Sequence, residues 1–220
     1  MAETLTTTAK PAEELLSKRR KALITDPLND DNPVTVQVLG ICSSLAVTTK
    51  MEPTLVMAIA VTVVVAMSNL AISLLRNLIP NRIRIIVQLA VVASLVIVVD
   101  QVLKAYFYDV SKLLSVFVGL IITNCIVMGR LEAYAMANKP YDSVLDGVGN
   151  GLGYAWIILL ISFIREVLGS GSIFNFKIFE AIGITNFPTN GLMTSPVGAF
   201  FILGIIIWVQ RYKNNYSEHA

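Results

Sequence analysis

The sequence predicts an all-α integral membrane protein of six transmembrane helices, built as two inverted three-helix repeats whose first and fourth helices are short or broken. Three observations carry this. The chain of 220 residues is 55% hydrophobic and 15% charged, with a mean hydropathy of +0.70, too apolar for an ordinary soluble domain. Six windows with no charge, or with one, recur along it. Ile72-Ser-Leu-Leu-Arg76 is echoed 89 positions later by Ile161-Ser-Phe-Ile-Arg165.

Taken in order, residues 1–31 read as a cytoplasmic tail: they are polar, with an amphipathic turn expected at Pro11 to Leu16, then Lys18, Arg19, Arg20 and Lys21. No apolar core follows at signal-peptide distance. Asn32 to Thr49 is the first span. Its 18 residues give ~27 Å of helix, short of the ~30 Å hydrocarbon core. Gly40, Ser43, Ser44, Thr48 and Thr49 interrupt it around Cys42. Pro53 to Leu75 is the clearest span, uncharged throughout. Ile85 to Leu103 is the third and holds Asp100, which either pairs with Lys104 one turn later or marks an ion path.

Leu113 to Gly129 is the fourth, again short at 17 residues, with Thr123, Asn124 and Gly129 around Cys125. Gly147 to Ile164 is the fifth. Asp146 stands at its mouth, and it opens on two interleaved pairs, Gly147 with Gly151 and Gly149 with Gly153, which let another helix approach closely. Arg130 with Glu132, and Arg165 with Glu166, read as boundary charges. Gly169 to Ser195 forms a lightly charged interfacial loop, Pro196 to Gln210 the sixth span, and 213–220 a second cytoplasmic tail.

The orientation follows from the basic residues. With the amino terminus in the cytoplasm, 12 of the 17 lysines and arginines fall inside, leaving Lys50, Lys104, Lys112, Arg165 and Lys177 outside. The motif echo divides the chain into repeats at 32–110 and 111–212, each opening on a short cysteine-bearing segment. Three spans per repeat is an odd number, so the second copy enters the bilayer upside down, an architecture found in transporters. Discontinuous helices are tolerated in a membrane where they line a protein-enclosed site.

Cys42 and Cys125 are the only cysteines, 83 positions apart. They are packing residues, a disulfide, or a pair of soft metal ligands. An iron-sulfur cluster normally takes four cysteines, so the ligand reading demands a partner chain. The one histidine, His219, lies in the carboxyl tail, which excludes histidine-ligated membrane haem. No strand precedes the glycine run at Gly147 and no Walker motif occurs, so neither NADH nor ATP has a recognisable site. The basic residues are scattered at span ends, which argues against nucleic acid.

Val38-Leu-Gly-Ile-Cys42, Leu45-Ala-Val-Thr-Thr-Lys50, Arg84-Ile-Ile-Val-Gln88, Ser94-Leu-Val-Ile-Val-Val-Asp100, Gly119-Leu-Ile-Ile-Thr-Asn-Cys-Ile-Val-Met-Gly-Arg130 and Asp146-Gly-Val-Gly-Asn-Gly-Leu-Gly-Tyr154 closely resemble the D-subunit family of bacterial sodium-translocating NADH:quinone oxidoreductases (Na+-NQR, the NqrD/RnfE family). The likeness runs from about Asn32 to Trp208. The E subunit of the related Rnf complex is the second match, and an inverted-repeat ion or solute carrier with structural cysteines is the competing class. The resemblance implies a six-span subunit of the inner membrane, paired with a homologous E subunit of opposite topology and assembled with the A, B, C and F subunits. It implies that Cys42 and Cys125 hold a 2Fe-2S cluster with two cysteines of that partner. It places NADH, FAD, FMN, riboflavin and ubiquinone on other subunits, with electron flow to the quinone coupled to sodium export. Ser170-Gly-Ser-Ile173 lacks the threonine of the family's flavin-attachment motif, so no flavin is expected on this chain. Asp146 and Asp100 become candidates for the sodium path.

Overall fold

The computed structural model describes residues 18–28, 31–80, 82–106, 119–170, 172–173, 176–177 and 191–213. The described elements run α1 (Lys18–Thr25), a 3-10 turn (Asp26–Leu28), α2 (Ile41–Val47), α3 (Met51–Leu75), α4 (Arg84–Tyr106), α5 (Cys125–Arg130) with a π turn (Leu131–Ala135), α6 (Pro140–Ser170), strands β1 (Ser172–Ile173) and β2 (Phe176–Lys177), α7 (Gly191–Thr194) and α8 (Pro196–Lys213). The two strands form a small antiparallel ribbon in which Ser172 faces Lys177 and Ile173 faces Phe176, inside the segment expected to be an interfacial loop. The amphipathic turn expected at Pro11 to Leu16 lies outside the described residues.

Three helices are long and apolar enough to cross a membrane, Met51–Leu75, Arg84–Tyr106 and Pro140–Gly169, with Pro196–Tyr212 a shorter apolar helix. They match the second, third, fifth and sixth windows. The first window is helical only over Ile41–Val47. In the fourth, the helical turn 119–122 gives way at Thr123 and Asn124 before α5 begins.

The centre of the molecule is the α3–α6 pair. Gly147 meets Ala66, Gly151 meets Thr62, Thr54 donates to Ser162 and the Met51 N–H donates to Glu166. Rising numbers on one helix meet falling numbers on the other, so the two run antiparallel. Met57, Val61, Val64, Val65 and Ile72 of α3 pack with Tyr154, Ile158 and Ile161 of α6, all buried. Pro140 starts α6, its fixed φ suiting the first helical turn and its missing N–H costing nothing there. α4 is more peripheral and buries only Gln88, Val92 and Val96. Its Ile85, Ile86, Ile97, Val98 and Val102 point outward, a face for lipid or an apolar partner.

The glycine run explains how tightly α6 is held. A Cβ on Gly147 would lie 2.9 Å from Ala66 Cα, and one on Gly151 would lie 2.8 Å from Thr62 Cα. Cβ atoms on Gly149 and Gly153 would strike the carbonyl oxygens of Leu23 and Pro27. One interleaved pair therefore admits α3, and the other admits the segment that precedes the first window. Gly149→Val must displace backbone, and overpacking of this kind costs about 1–3 kcal/mol. We expect the solubilised complex bearing it to melt earlier than wild type, while Gly204→Val, with nothing within 4 Å, melts with wild type. Equal melting of the two variants would contradict the close approach.

Candidate functional site

The first break is organised by Asn32. Its Oδ1 accepts from the N–H groups of Val34 at 3.0 Å and Thr35 at 3.3 Å, an Asx-type turn. Its Nδ2 donates to the carbonyls of Pro27 and Gly153, each at 3.1 Å. The chain then passes through two left-handed residues, Val38 (φ 58) and Gly40 (φ 77), before α2 starts. At Gly40 glycine is required twice over. An L side chain disfavours that φ, and a Cβ would lie 2.7 Å from Ile126 Cδ1 and 3.1 Å from Tyr154 Cε2.

The second break is organised by Asn124, which caps α5: its Oδ1 accepts from the Ile126 N–H at 3.2 Å, satisfying one of the donors a helix start leaves open. Its Nδ2 donates to Ser43 Oγ at 3.2 Å, and Ser43 Oγ shares a 2.8 Å hydrogen bond with the Tyr154 hydroxyl. Tyr154 is fully buried. One polar junction thus ties α2, α5 and α6 together behind the cysteines, and its partners are what make two interrupted helices tolerable in an apolar setting.

The cysteines stand just past these breaks. The Gly40 N–H donates to Cys125 Sγ at 2.8 Å, so the sulfur of the fourth window touches the break that carries Cys42 two residues further on. Both thiols are free; Cys42 is exposed and Cys125 partly buried. Among the described residues no group of three or more His, Cys, Asp or Glu could hold a metal ion. The chain therefore offers two soft donors, half of what an iron-sulfur cluster takes, with one of them open on the surface. That donor set fits a cluster completed from outside.

The acidic candidates lie elsewhere. Asp146 is buried; Arg130 grips both its oxygens, with Nε donating to Oδ2 at 3.0 Å and Nη2 to Oδ1, and Asn150 Nδ2 donates to Oδ1 at 3.1 Å. Arg130, read from the sequence as a boundary charge beside Glu132, is instead the partner of the buried Asp146, and residues two apart on a helix face different ways. Glu132 turns to α4, pairing with Arg84 and accepting from Gln88 Nε2 at 3.1 Å. Asp100 receives a 2.5 Å hydrogen bond from Lys104, the one-turn pairing the sequence offers.

Arg165 is not a boundary charge. It is 2% exposed and donates to Thr48 Oγ1 at 2.7 Å and to the carbonyls of Leu45, Met193, Thr194 and Ser195. Its counterpart in the echoed motif, Arg76, donates to the Asn138 carbonyl at 2.7 Å, just beyond the π turn that continues α5. Each motif arginine thus holds the far end of the broken segment belonging to the other half. Tyr154 and Arg165 are site residues that sequence reasoning missed, the readable signal being the repetition of the arginine; Ser43 reads in the sequence as an interruption beside Cys42, without its partners.

A family model described as "Rnf-Nqr subunit, membrane protein" matches residues 21–207. Relatives named as the D subunit of Na(+)-translocating NADH-quinone reductase include one from Tolumonas auensis, 59% identical over 192 residues, covering 87% of this chain and 89% of that protein. The Pasteurella multocida relative of the same name is 56% identical over 204 residues, covering 92% and 98%, and that of Shewanella halifaxensis 58% identical over 204 residues, covering 92% and 97%. The stretch these relatives share with the chain takes in both breaks and the long helices that frame them, and on that extent of likeness the chain belongs to the Rnf-Nqr subunit family of membrane proteins.

Proposed function

We propose that the chain is the membrane electron-relay subunit of a sodium-translocating NADH:quinone oxidoreductase, with Cys42 and Cys125 as half the ligands of a 2Fe-2S cluster within the bilayer. The single observation that carries this reading is the contact between the Gly40 amide and Cys125 Sγ, which joins the two cysteine-bearing breaks and leaves Cys42 on the outer surface of the chain. A bound cluster supplies one-electron transfer without making or breaking bonds in a substrate. The chain's own residues hold the iron through two thiolates, fix the two breaks through Ser43, Asn124 and Tyr154, and keep water back with the buried Ile121 and Ile126.

The remaining two ligands come, in this reading, from a homologous E subunit of opposite topology, within an enzyme complex that also contains the A, B, C and F subunits. NADH oxidation and ubiquinone reduction, with FAD, FMN and riboflavin between them, belong to those other chains, and sodium export is coupled to the flow. We place six spans in the inner membrane with both termini cytoplasmic, the tails at 1–31 and 213–220, and inverted repeats at 32–110 and 111–212. The reciprocal hold of Arg76 and Arg165 on the opposite half supports the repeat. Asp146 and Asp100 remain the acidic candidates for the sodium path, with the difference that a sodium ion at Asp146 must compete with Arg130.

The test uses the purified complex. Wild type is expected to contain iron and to give a 2Fe-2S electron paramagnetic resonance signal on reduction, and Cys42→Ala and Cys125→Ala each to lose both while the subunit stays assembled. Full iron in both variants would favour the carrier class with structural cysteines.

A further inference from the structure

We propose that the backbone amide of Gly40 is the group on this chain that tunes the reduction potential at Cys125, and that it does so from one side only. The inference rests on the cluster reading above. The Gly40 peptide is unusually constrained for a loop. Its N–H points at Cys125 Sγ across 2.8 Å, and its carbonyl accepts from Ser43 Oγ at 3.0 Å and Ser44 Oγ at 2.7 Å. The left-handed φ of 77° sets that direction. Ile126 and Tyr154 lie against the Cα, filling the space a side chain would need.

An amide aimed at a thiolate is a charge-assisted donor, and hydrogen bonds to the sulfurs are one of the levers on cluster potential. Reduction adds negative charge that the ligating sulfur shares, so a donor held at Cys125 favours the reduced state and raises the potential. The opposite break is built differently. By the 83-residue offset between the cysteines, Thr123 is the counterpart of Gly40, but its N–H is spent on the Gly119 carbonyl at 3.4 Å. Among the described residues no hydrogen bond reaches the sulfur of Cys42. The two thiolates this chain contributes are therefore unequal.

The decisive measurement labels the complex with 15N-glycine and records pulsed electron paramagnetic resonance on the reduced cluster. A 15N coupling is expected in wild type and is expected to vanish in Gly40→Ala/Ile126→Ala, where removal of the Ile126 branch makes room for the new methyl group; couplings that survive belong to glycines elsewhere. Alanine keeps an N–H but disfavours the φ of 77° that aims it at the sulfur, so a redox titration of the same double variant should show the one-electron equilibrium displaced about tenfold toward the oxidised state, 59 mV, with Ile126→Ala alone holding the wild-type value. A clear cluster signal with no glycine coupling in wild type overturns the proposal and leaves the cluster reading standing. Absence of iron and of any such signal from wild type overturns both.

Discussion

Replacing Arg165 with methionine should lower the melting temperature of the solubilised complex by several degrees. The side chain is buried and gives hydrogen bonds to four carbonyls and one hydroxyl. Methionine fills much of the volume and supplies no donor. An acceptor left buried without a partner costs about 1–3 kcal/mol, and two of these five lie in or beside the last turn of α2. We expect a loss of about 3 kcal/mol, since the contact to Thr48 is buried while the four carbonyls are partly buried and recover some water. Arg165→Lys should recover part of it, since an ammonium reaches fewer of these acceptors than the planar guanidinium. If the cluster proposed above is bound, its paramagnetic signal in the methionine variant should be altered in shape, because α2 carries Cys42. An Arg165→Met complex that melts with wild type would mean that these contacts do not hold α2.

The second large effect belongs to Arg130 and Asp146. Breaking a buried ion pair by removing one partner costs about 3–5 kcal/mol, whereas replacing both by apolar residues is often neutral. Arg130→Met should therefore destabilise the complex by that amount, and Arg130→Met/Asp146→Leu should restore the melting temperature. The pair of variants also separates two roles for the carboxylate. If Asp146 lies on the sodium path, the double variant regains stability but keeps a weakened sodium dependence of turnover. A double variant with the wild-type sodium titration would retire Asp146 from that path. Asp146→Asn alone is expected to weaken sodium dependence, and only the double variant tells a lost ion site from a lost brace.

Much of this is readable from residue pattern. Uncharged runs locate α3, α4 and α8 to within a few residues, because in a bilayer the backbone has few alternatives to the helix. The spacing of Asp100 and Lys104 announces their pairing, and the glycine run announces close packing. The same criterion makes the fifth helix too short. The window stops at charge, yet Asp146 and Arg165 are satisfied by groups from other elements, so α6 continues through them from Pro140 to Ser170. What no local pattern discloses is which distant group does the satisfying. Nothing in the neighbourhood of Gly40 predicts that its amide reaches a sulfur 85 positions away. Nor does the polar stretch before Asn32 reveal that its end lies against Gly149 and Gly153.

The alternating glycines of α6 have a mechanical consequence. A helix that offers bare backbone to neighbours on two sides cannot turn about its own axis, since a step of about 100°, one residue, would drive side chains into both at once. With α3, it is the stator of this subunit. The hydrogen bonds of Asn32, Ser43, Asn124 and Arg165 fasten the two cysteine-bearing breaks to this stator, so any movement that accompanies turnover falls to the loosely held α4.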